Sequence, residues 1–595
     1  MENEQQHDHL FCLRHSTEHV LMQAMKQLGY KFFMAMGPAT EEGFYFDFEL
    51  LEGNISEEDF PKIEAEMQKI IDKNLSITIK NISLKEGREL FEGNPYKQEW
   101  LDEIAKKGED ATIYWTGEPN DSNSFVDLCK GPHVKSTAKI KAFKLLSIAG
   151  AYWRGSEKNK MLTRIYGTAF ESKEELEKYI FMMEEAKKRD HRKLGEKLDL
   201  FTFSDMVGPG LVLWKPKGTV IRDQLENWAK ETEERFGYKR VSTPHIAKHT
   251  LYETSGHLPY YKDDMYSPME IDGEEYYLKG MNCPHHHMIY NSTPKSYRDL
   301  PLRFAEYGTV YRYEQSGSLF GLMRVRAIAQ NDAHIYCSLA DAEKEFIDVL
   351  KLHEYYYNAL GLSRDDYHIV IGLPDEKKRD KYHGDKALWE KAETIMRSAI
   401  EKVGIRSIDE EGGAAFYGPK VDMNIKSSVG REFTISTTQL DLYMPTRFNL
   451  EFTNEKGEKE LAAVIHRAPL GSHERFIGFL IEHFAGAFPV WLSPVQVKII
   501  PISDKHLEYA RKVAEYLQNE MIRIEIDEKS ETMGNKIRKA QEEKIPYMII
   551  LGDKELEAQN ISVRYRNGKQ ENGIDLNTFT HKVTDLIITK ALNEG

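Results

Sequence analysis

A chain of 595 residues is too long for one hydrophobic core, and its length alone predicts roughly three to five domains. With 41% hydrophobic and 30% charged residues the balance is that of a globular protein, and the absence of any run of about 18 apolar residues excludes a membrane-spanning helix. A net charge of −15 argues against a non-specific DNA coat while leaving room for RNA on a local basic face. Four cysteines do not make a disulfide framework, and the polar, acidic start lacks signal-peptide features, so a cytoplasmic protein in a reducing compartment is expected.

Taken in chain order, residues from about 13 to 28 predict an amphipathic helix with His15 and His19 on one face. Gly43–Phe48 is strand-like, and Ser56, followed by acidic residues, caps a helix reaching about residue 73. Ser124–Cys129 is strand-like, and Gly131-Pro132 makes a turn that can return His133 beside Cys129. A charged helix over about 172–195 reads as a connector, its Lys187–Lys193 cluster being usually a solvated face and alternatively one that RNA uses. Strands and helices from about 200 to 490 predict a large α+β domain. Beyond Trp491–Pro494, strands at 495–502, 523–526 and 547–551 alternate with helices near 505–520 and 532–543, predicting an α/β tail with a largely parallel sheet. The boundaries expected are 1–185, a connector at 186–200, 201–490 and 494–595.

Two sets of residues carry candidate chemistry. His15, His19, Cys129 and His133 form an H-x-x-x-H plus C-x-x-x-H set, able to converge on a metal or an activated water. Cys283, His334 and His466 are candidate ligands elsewhere, too scattered for spacing alone to pair them. Any one of these histidines taken singly is better read as a satisfied core or surface residue.

Three signatures in order alter that balance: Gly237–Pro244, then Phe304–Gly317 with Arg312 and Glu314, then Gly471–Gly478 with Arg475. They resemble motifs 1, 2 and 3 of the class II aminoacyl-tRNA synthetases, flanked by Gly321–Arg326 and Ala415–Lys420. Met281–Pro284, Gln330–His334 and Val464–Arg467 resemble the zinc-bearing segments of the threonyl-tRNA synthetase family, and Asp127–His133 with Gly150–Gly155 resembles its editing domain. The resemblance spans residues 13 to 595. Because His15 stands so near the start, the small domain that commonly precedes the editing domain is expected to be missing.

The resemblance implies a class II antiparallel-sheet catalytic core, an N-terminal α+β editing domain and a C-terminal α/β anticodon-binding domain. It implies ligation of L-threonine to tRNA(Thr) through an adenylate, with ATP and Mg²⁺, one Zn²⁺ per subunit, and a homodimer formed through motif 1. Arg312 would hold the α-phosphate, Arg475 the γ-phosphate and adenine face, Arg324 the phosphates, and Glu314 the adenine amino group. Arginine's planar fork suits charge building on phosphate oxygens. Cys283, His334 and His466 would hold Zn²⁺ with one position open. Asp332 would orient the threonine hydroxyl, and Gln330, Tyr417, Lys420 and Gln439 would frame the amino acid. An apolar pocket separates threonine from isosteric valine by only about 10²-fold, so a metal that takes the hydroxyl is useful. Serine lacks only a methyl, worth roughly 1–3 kcal/mol, so a second hydrolytic site is expected. There His15, His19, Cys129 and His133, with Lys97 and Asp127 in support, are read as positioning water in preference to binding zinc. His257 resembles a histidine near the tRNA terminal ribose, the alternative being a surface loop histidine. Glu555 and Arg564 would contact anticodon bases, with Lys536 and Arg538 nearer phosphates.

Four positions depart from the family pattern: His285 where glycine is usual, Ile328 where an aromatic stacks on adenine, Phe320 for a histidine, and Ser530 for an asparagine. The rival readings are an RNA-binding regulator that has lost catalysis, a trans-editing hydrolase, and a synthetase for proline or serine. Retention of Arg312, Arg475 and the Cys/His/His set weighs against the first, because binding alone needs none of them.

Overall fold

The first helix, Glu2–Gln27, is buried on every side from Ser16 to Met25, polar Glu18, His19 and Gln23 included, so it is a core helix and not the amphipathic one the sequence predicts. The computed structural model describes residues 2–119, 121, 123–427 and 432–593. The chain divides into two compact units, Met1–Glu184 and Glu185–Gly595.

In the first unit, the helix Glu2–Gln27 and the helix Phe60–Asp72 share a core with Phe44, Phe46 and Phe48. Those phenylalanines alternate along Phe44–Leu50, a strand of a four-stranded antiparallel sheet in the order 32–36, 44–50, 161–170, 142–152. A second antiparallel sheet joins Ile77–Ile82, Ala111–Thr116 and Phe125–Leu128, and its last strand delivers Cys129.

The predicted connector helix is two helices. Lys173–Arg189 stops, and His191–Lys197 begins after Asp190, whose backbone leaves the helical region and whose carboxylate caps the Arg192 N–H at 2.9 Å. A local cap therefore overrides the helical charge pattern.

The second unit is built on an eight-stranded sheet in the order 239–240, 302–311, 327–337, 463–468, 432–441, 420–426, 367–373, 407–411. It is antiparallel except for a parallel pair at each end. Ala333, Ile335 and Cys337 of one central strand point into the core, with Trp228, Phe346, Met396 and Phe476 from the helices behind the sheet. The intervening residues Asp332 and His334 take the opposite face.

The tail carries a five-stranded sheet in the order 524–526, 497–501, 547–551, 561–565, 570–574. Its first three strands are parallel, as expected, and the last two pair antiparallel. That hairpin was readable: Asn567-Gly568 is a turn signal, and Gly568 has φ +92°.

Candidate functional sites

Strand register assembles the larger site. Phe304 pairs with His334, His334 with His466, His466 with Gln439, and Gln439 with Lys420, one row across five strands. Residues directly opposite share a face, so side chains from distant segments stand side by side. Asp332, Gln330 and Ile328 extend the same face along one strand, and the helix Cys283–Asn291 brings in its first residue. The resulting cleft has a volume of 360 Å³, and Cys283, Arg312, Tyr417 and Arg475 also line it. Two glycines permit the close fit. A Cβ on Gly308 would lie 2.1 Å from the Asn282 amide oxygen, and one on Gly471, at φ +51°, would lie 2.1 Å from the Ile435 carbonyl.

Cys283, His334 and His466 each offer a ligand atom, all within 4.8 Å of one another. His466 Nε2 lies 3.0 Å from Asp441 Oδ2, and His334 Nδ1 lies 2.8 Å from His286 Nδ1. Each ring therefore has one nitrogen engaged and one left over. One sulfur and two such nitrogens, buried, fit a Zn²⁺ whose coordination is left open to a substrate. Burial and the nearby Asp332 and Asp441 push the Cys283 thiol well up, so a thiolate here calls for a cation.

Around this centre Asp332 accepts from Asn282 Nδ2 at 3.0 Å, Tyr417 donates to Gln439 Oε1, and Lys420 pairs with Asp422 at 2.7 Å. Arg475, third in the helix His473–His483, donates from Nε to the Met323 carbonyl at 3.1 Å. Burial, with Arg312 and Arg324 close by, lowers its pKa. Arg312 and Arg475 together in the cleft make a site for an anionic ligand, with Arg324 close by. Arg324 and Glu314 stand outside the cleft lining and face each other at 3.8 Å. His257 is buried, with Nδ1 2.7 Å from Ser255 Oγ and its ring against Phe416, which rules out the surface-loop alternative. Of the departures, Ile328 lines the cleft, and His285 is buried, which pulls its pKa down to about 4. Phe320 packs on His191 and beneath the Arg192 guanidinium, 4.4 Å from its ring centre. Ser530 is exposed.

The first unit holds the other constellation beside a 350 Å³ cleft. His15 Nε2 is 3.2 Å and His133 Nε2 3.3 Å from Cys129 Sγ, and the ligand atoms of His15, His19, Cys129 and His133 all lie within 4.8 Å. Burial lowers the pKa of all three histidines, His133 to about 2, and raises Cys129 to about 12, so the cluster is neutral. Lys97 and Asp127 form a buried ion pair at 2.6 Å. Sequence reasoning missed two neighbours. Ser16 Oγ accepts from Val134 N at 3.0 Å and meets His133 Nδ1 at 3.1 Å, while Glu18 is buried behind Gly37. Both stand inside the H-x-x-x-H segment, which was their only signal.

In the tail, Glu555 accepts from Ser562 Oγ at 2.6 Å, and Arg564 is two residues further along the same strand face. Arg538 is exposed and pairs with Glu542 at 2.7 Å. Lys536 is a correction: it is buried, its ammonium donating to the Asp527 carbonyl at 2.8 Å, so it is not available to a phosphate.

The sequence matches three family models: the tRNA synthetase class II core domain (G, H, P, S and T) over residues 266–484, the anticodon binding domain over 496–586, and the threonyl and alanyl tRNA synthetase second additional domain over 112–166. It is 48% identical over 581 residues to a threonine–tRNA ligase from Thermotoga sp. strain RQ2, covering 97% of this chain and 88% of that one. The chain belongs to the threonine–tRNA ligase family. The ligase from Oceanobacillus iheyensis is 45% identical over 586 residues, 98% of this chain and 89% of its own. The crystal structure of the RNA binding domain of threonyl-tRNA synthetase from Cryptosporidium parvum superposes with a TM-score of 0.63 at 33% identity, covering 67% of this chain and 98% of that one. Among the described residues no helix is long and apolar enough to cross a membrane.

Proposed function

We propose that the chain ligates L-threonine to tRNA(Thr) in the second unit and hydrolyses mischarged seryl-tRNA(Thr) in the first. The observation that carries this reading is the single row His334–His466–Gln439–Lys420, which sets a metal-ligand pair and an amino-acid pocket on one sheet face beside Arg312 and Arg475. Cys283, His334 and His466 would hold the zinc, a Lewis acid able to take the substrate's amino group and hydroxyl. Asp332, buried and fixed by Asn282, orients the hydroxyl, while Gln330, Tyr417, Gln439 and Lys420 bound the rest of the amino acid.

Arg312 and Arg475 stabilise charge on the phosphates of Mg²⁺-ATP as the carboxylate attacks and pyrophosphate leaves. Glu314 and Arg324 act from beside them, and His257 meets the tRNA terminal ribose. In the first unit two of the neutral imidazoles of His15, His19 and His133 accept the two hydrogens of a water beside Cys129, the third stands against its oxygen, and Lys97 with Asp127 supplies a fixed charge pair. Glu555, Arg564 and Arg538 are the tail's contacts for anticodon bases and backbone. The divisions 1–185, 186–200, 201–490 and 494–595 carry editing, connection, catalysis and anticodon binding. A homodimer forms through the motif 1 segment, beside which Phe236 is 41% exposed.

The test is amino-acid-dependent pyrophosphate exchange. The expected result is strong exchange with threonine, weaker exchange with serine and none with valine. Absence of exchange with all three, with Mg²⁺ and zinc supplied, favours the RNA-binding regulator instead.

A further inference from the structure

His334 does not end at its own ring. Its Nδ1 lies 2.8 Å from His286 Nδ1, and His286 Nε2 lies 3.1 Å from Glu306 Oε2. All three side chains are buried. Glu306 is fixed in turn: it accepts the Thr243 N–H at 2.8 Å and the Thr243 hydroxyl at 2.9 Å, and Lys279 Nζ donates to that same hydroxyl at 2.9 Å.

The directions of these bonds are determined one from the next. A carboxylate only accepts, so His286 donates from Nε2. The neutral His286 ring then has a bare Nδ1, which must accept, so His334 donates from its own Nδ1. That leaves the His334 Nε2 lone pair free. Reversing any bond would put a hydrogen on that nitrogen and remove a ligand.

We infer that Glu306 and His286 form a positioning relay that fixes His334 as a metal ligand, so that a carboxylate two side chains away sets how tightly zinc is held. His466 receives the same support directly, from Asp441 at 3.0 Å. Neither Glu306 nor His286 touches the proposed substrate or metal. Both act through His334, and the inference rests on the reading of Cys283, His334 and His466 as a zinc site. Partners of metal-bound histidines of this kind are typically worth about 10- to 100-fold in metal affinity. The relay also crosses the chain: Thr243 belongs to the motif 1 segment, Glu306 to motif 2, and His286 to the helix that supplies Cys283.

The experiment is competition of the full-length protein with a chromophoric zinc chelator for the wild type, His286→Ala, His286→Asn and Glu306→Gln. Circular dichroism and thermal melting report whether each variant is folded. Wild type should hold one zinc, and His286→Ala and Glu306→Gln should hold it about 10- to 100-fold more weakly. His286→Asn should recover much of the affinity, because its amide oxygen can accept where Nδ1 did. At limiting zinc the KM for threonine should rise while the KM for ATP stays put. Folded variants that hold zinc as tightly as wild type would overturn the relay and leave the zinc reading standing. Wild type without zinc would overturn both. If His286→Ala does not fold, the isosteric Glu306→Gln and the His286→Asn variant decide the matter.

Discussion

Buried charge is the quantity that most needs explaining residue by residue. Lys97 and Asp127 are both buried, 2.6 Å apart. Removing one partner leaves the other unsolvated, at a cost of about 3–5 kcal/mol. Asp127→Ala should therefore lower the stability of the first unit by that order in thermal unfolding, whereas Lys97→Met with Asp127→Leu should regain much of it without restoring editing. Equal stability of the single and double variants would contradict the pairing. Glu474 is the opposite case, a carboxyl raised by burial from an ordinary 4.5 to about 7 although it accepts the Ala329 N–H. A raised carboxyl contributes stability that is present in full below 4.5 and is lost as pH rises through about 7. Between pH 4.5 and 8 the wild type should lose about 3 kcal/mol more than Glu474→Gln, measured by unfolding at each pH. Parallel pH profiles for the two proteins would refute this.

Elements, rather than single residues, hold the motif 2 loop. The helix break at Asp190 starts a new helix whose first residue, His191, accepts from the Leu322 N–H at 3.1 Å and donates from Nδ1 to Glu482 at 2.8 Å. Glu482 lies on the helix that carries Arg475, so one imidazole ties the loop to motif 3. Phe320 adds a second tie beneath Arg192. A part-exposed cation–π contact is worth about 0.5–1 kcal/mol, so Phe320→Ala should weaken tRNA binding about two- to five-fold in a KM measurement. An unchanged KM would show that the contact is incidental. This helix was misread as continuous because charge periodicity records propensity, whereas a cap depends on one side chain folding back. Asn567-Gly568 is the reverse, a local turn signal that by itself marks the antiparallel hairpin at the end of the tail sheet. Lys536 looked like a surface cation because a lysine buried on backbone carbonyls has no sequence signature.

For the molecule as a whole, what the sequence conveyed depended on range. His15 and His19 share a helix face by elementary geometry, and Cys129 and His133 meet across one turn, so the cluster of the first unit was legible from spacing. Cys283, His334 and His466 are separated by 51 and 132 residues and meet only through antiparallel register, which no local pattern encodes. Family resemblance supplied that grouping, and the register gives its physical reason. The same distance hid Glu306 and His286, which do nothing recognisable until the strands are paired. Two separate centres divide the work, and one charging assay with Cys129→Ala and Cys283→Ala tests this most directly. Cys129→Ala should still charge threonine but accumulate seryl-tRNA, while Cys283→Ala should fail to charge threonine yet still deacylate seryl-tRNA supplied to it. Loss of both activities in either folded variant would contradict it.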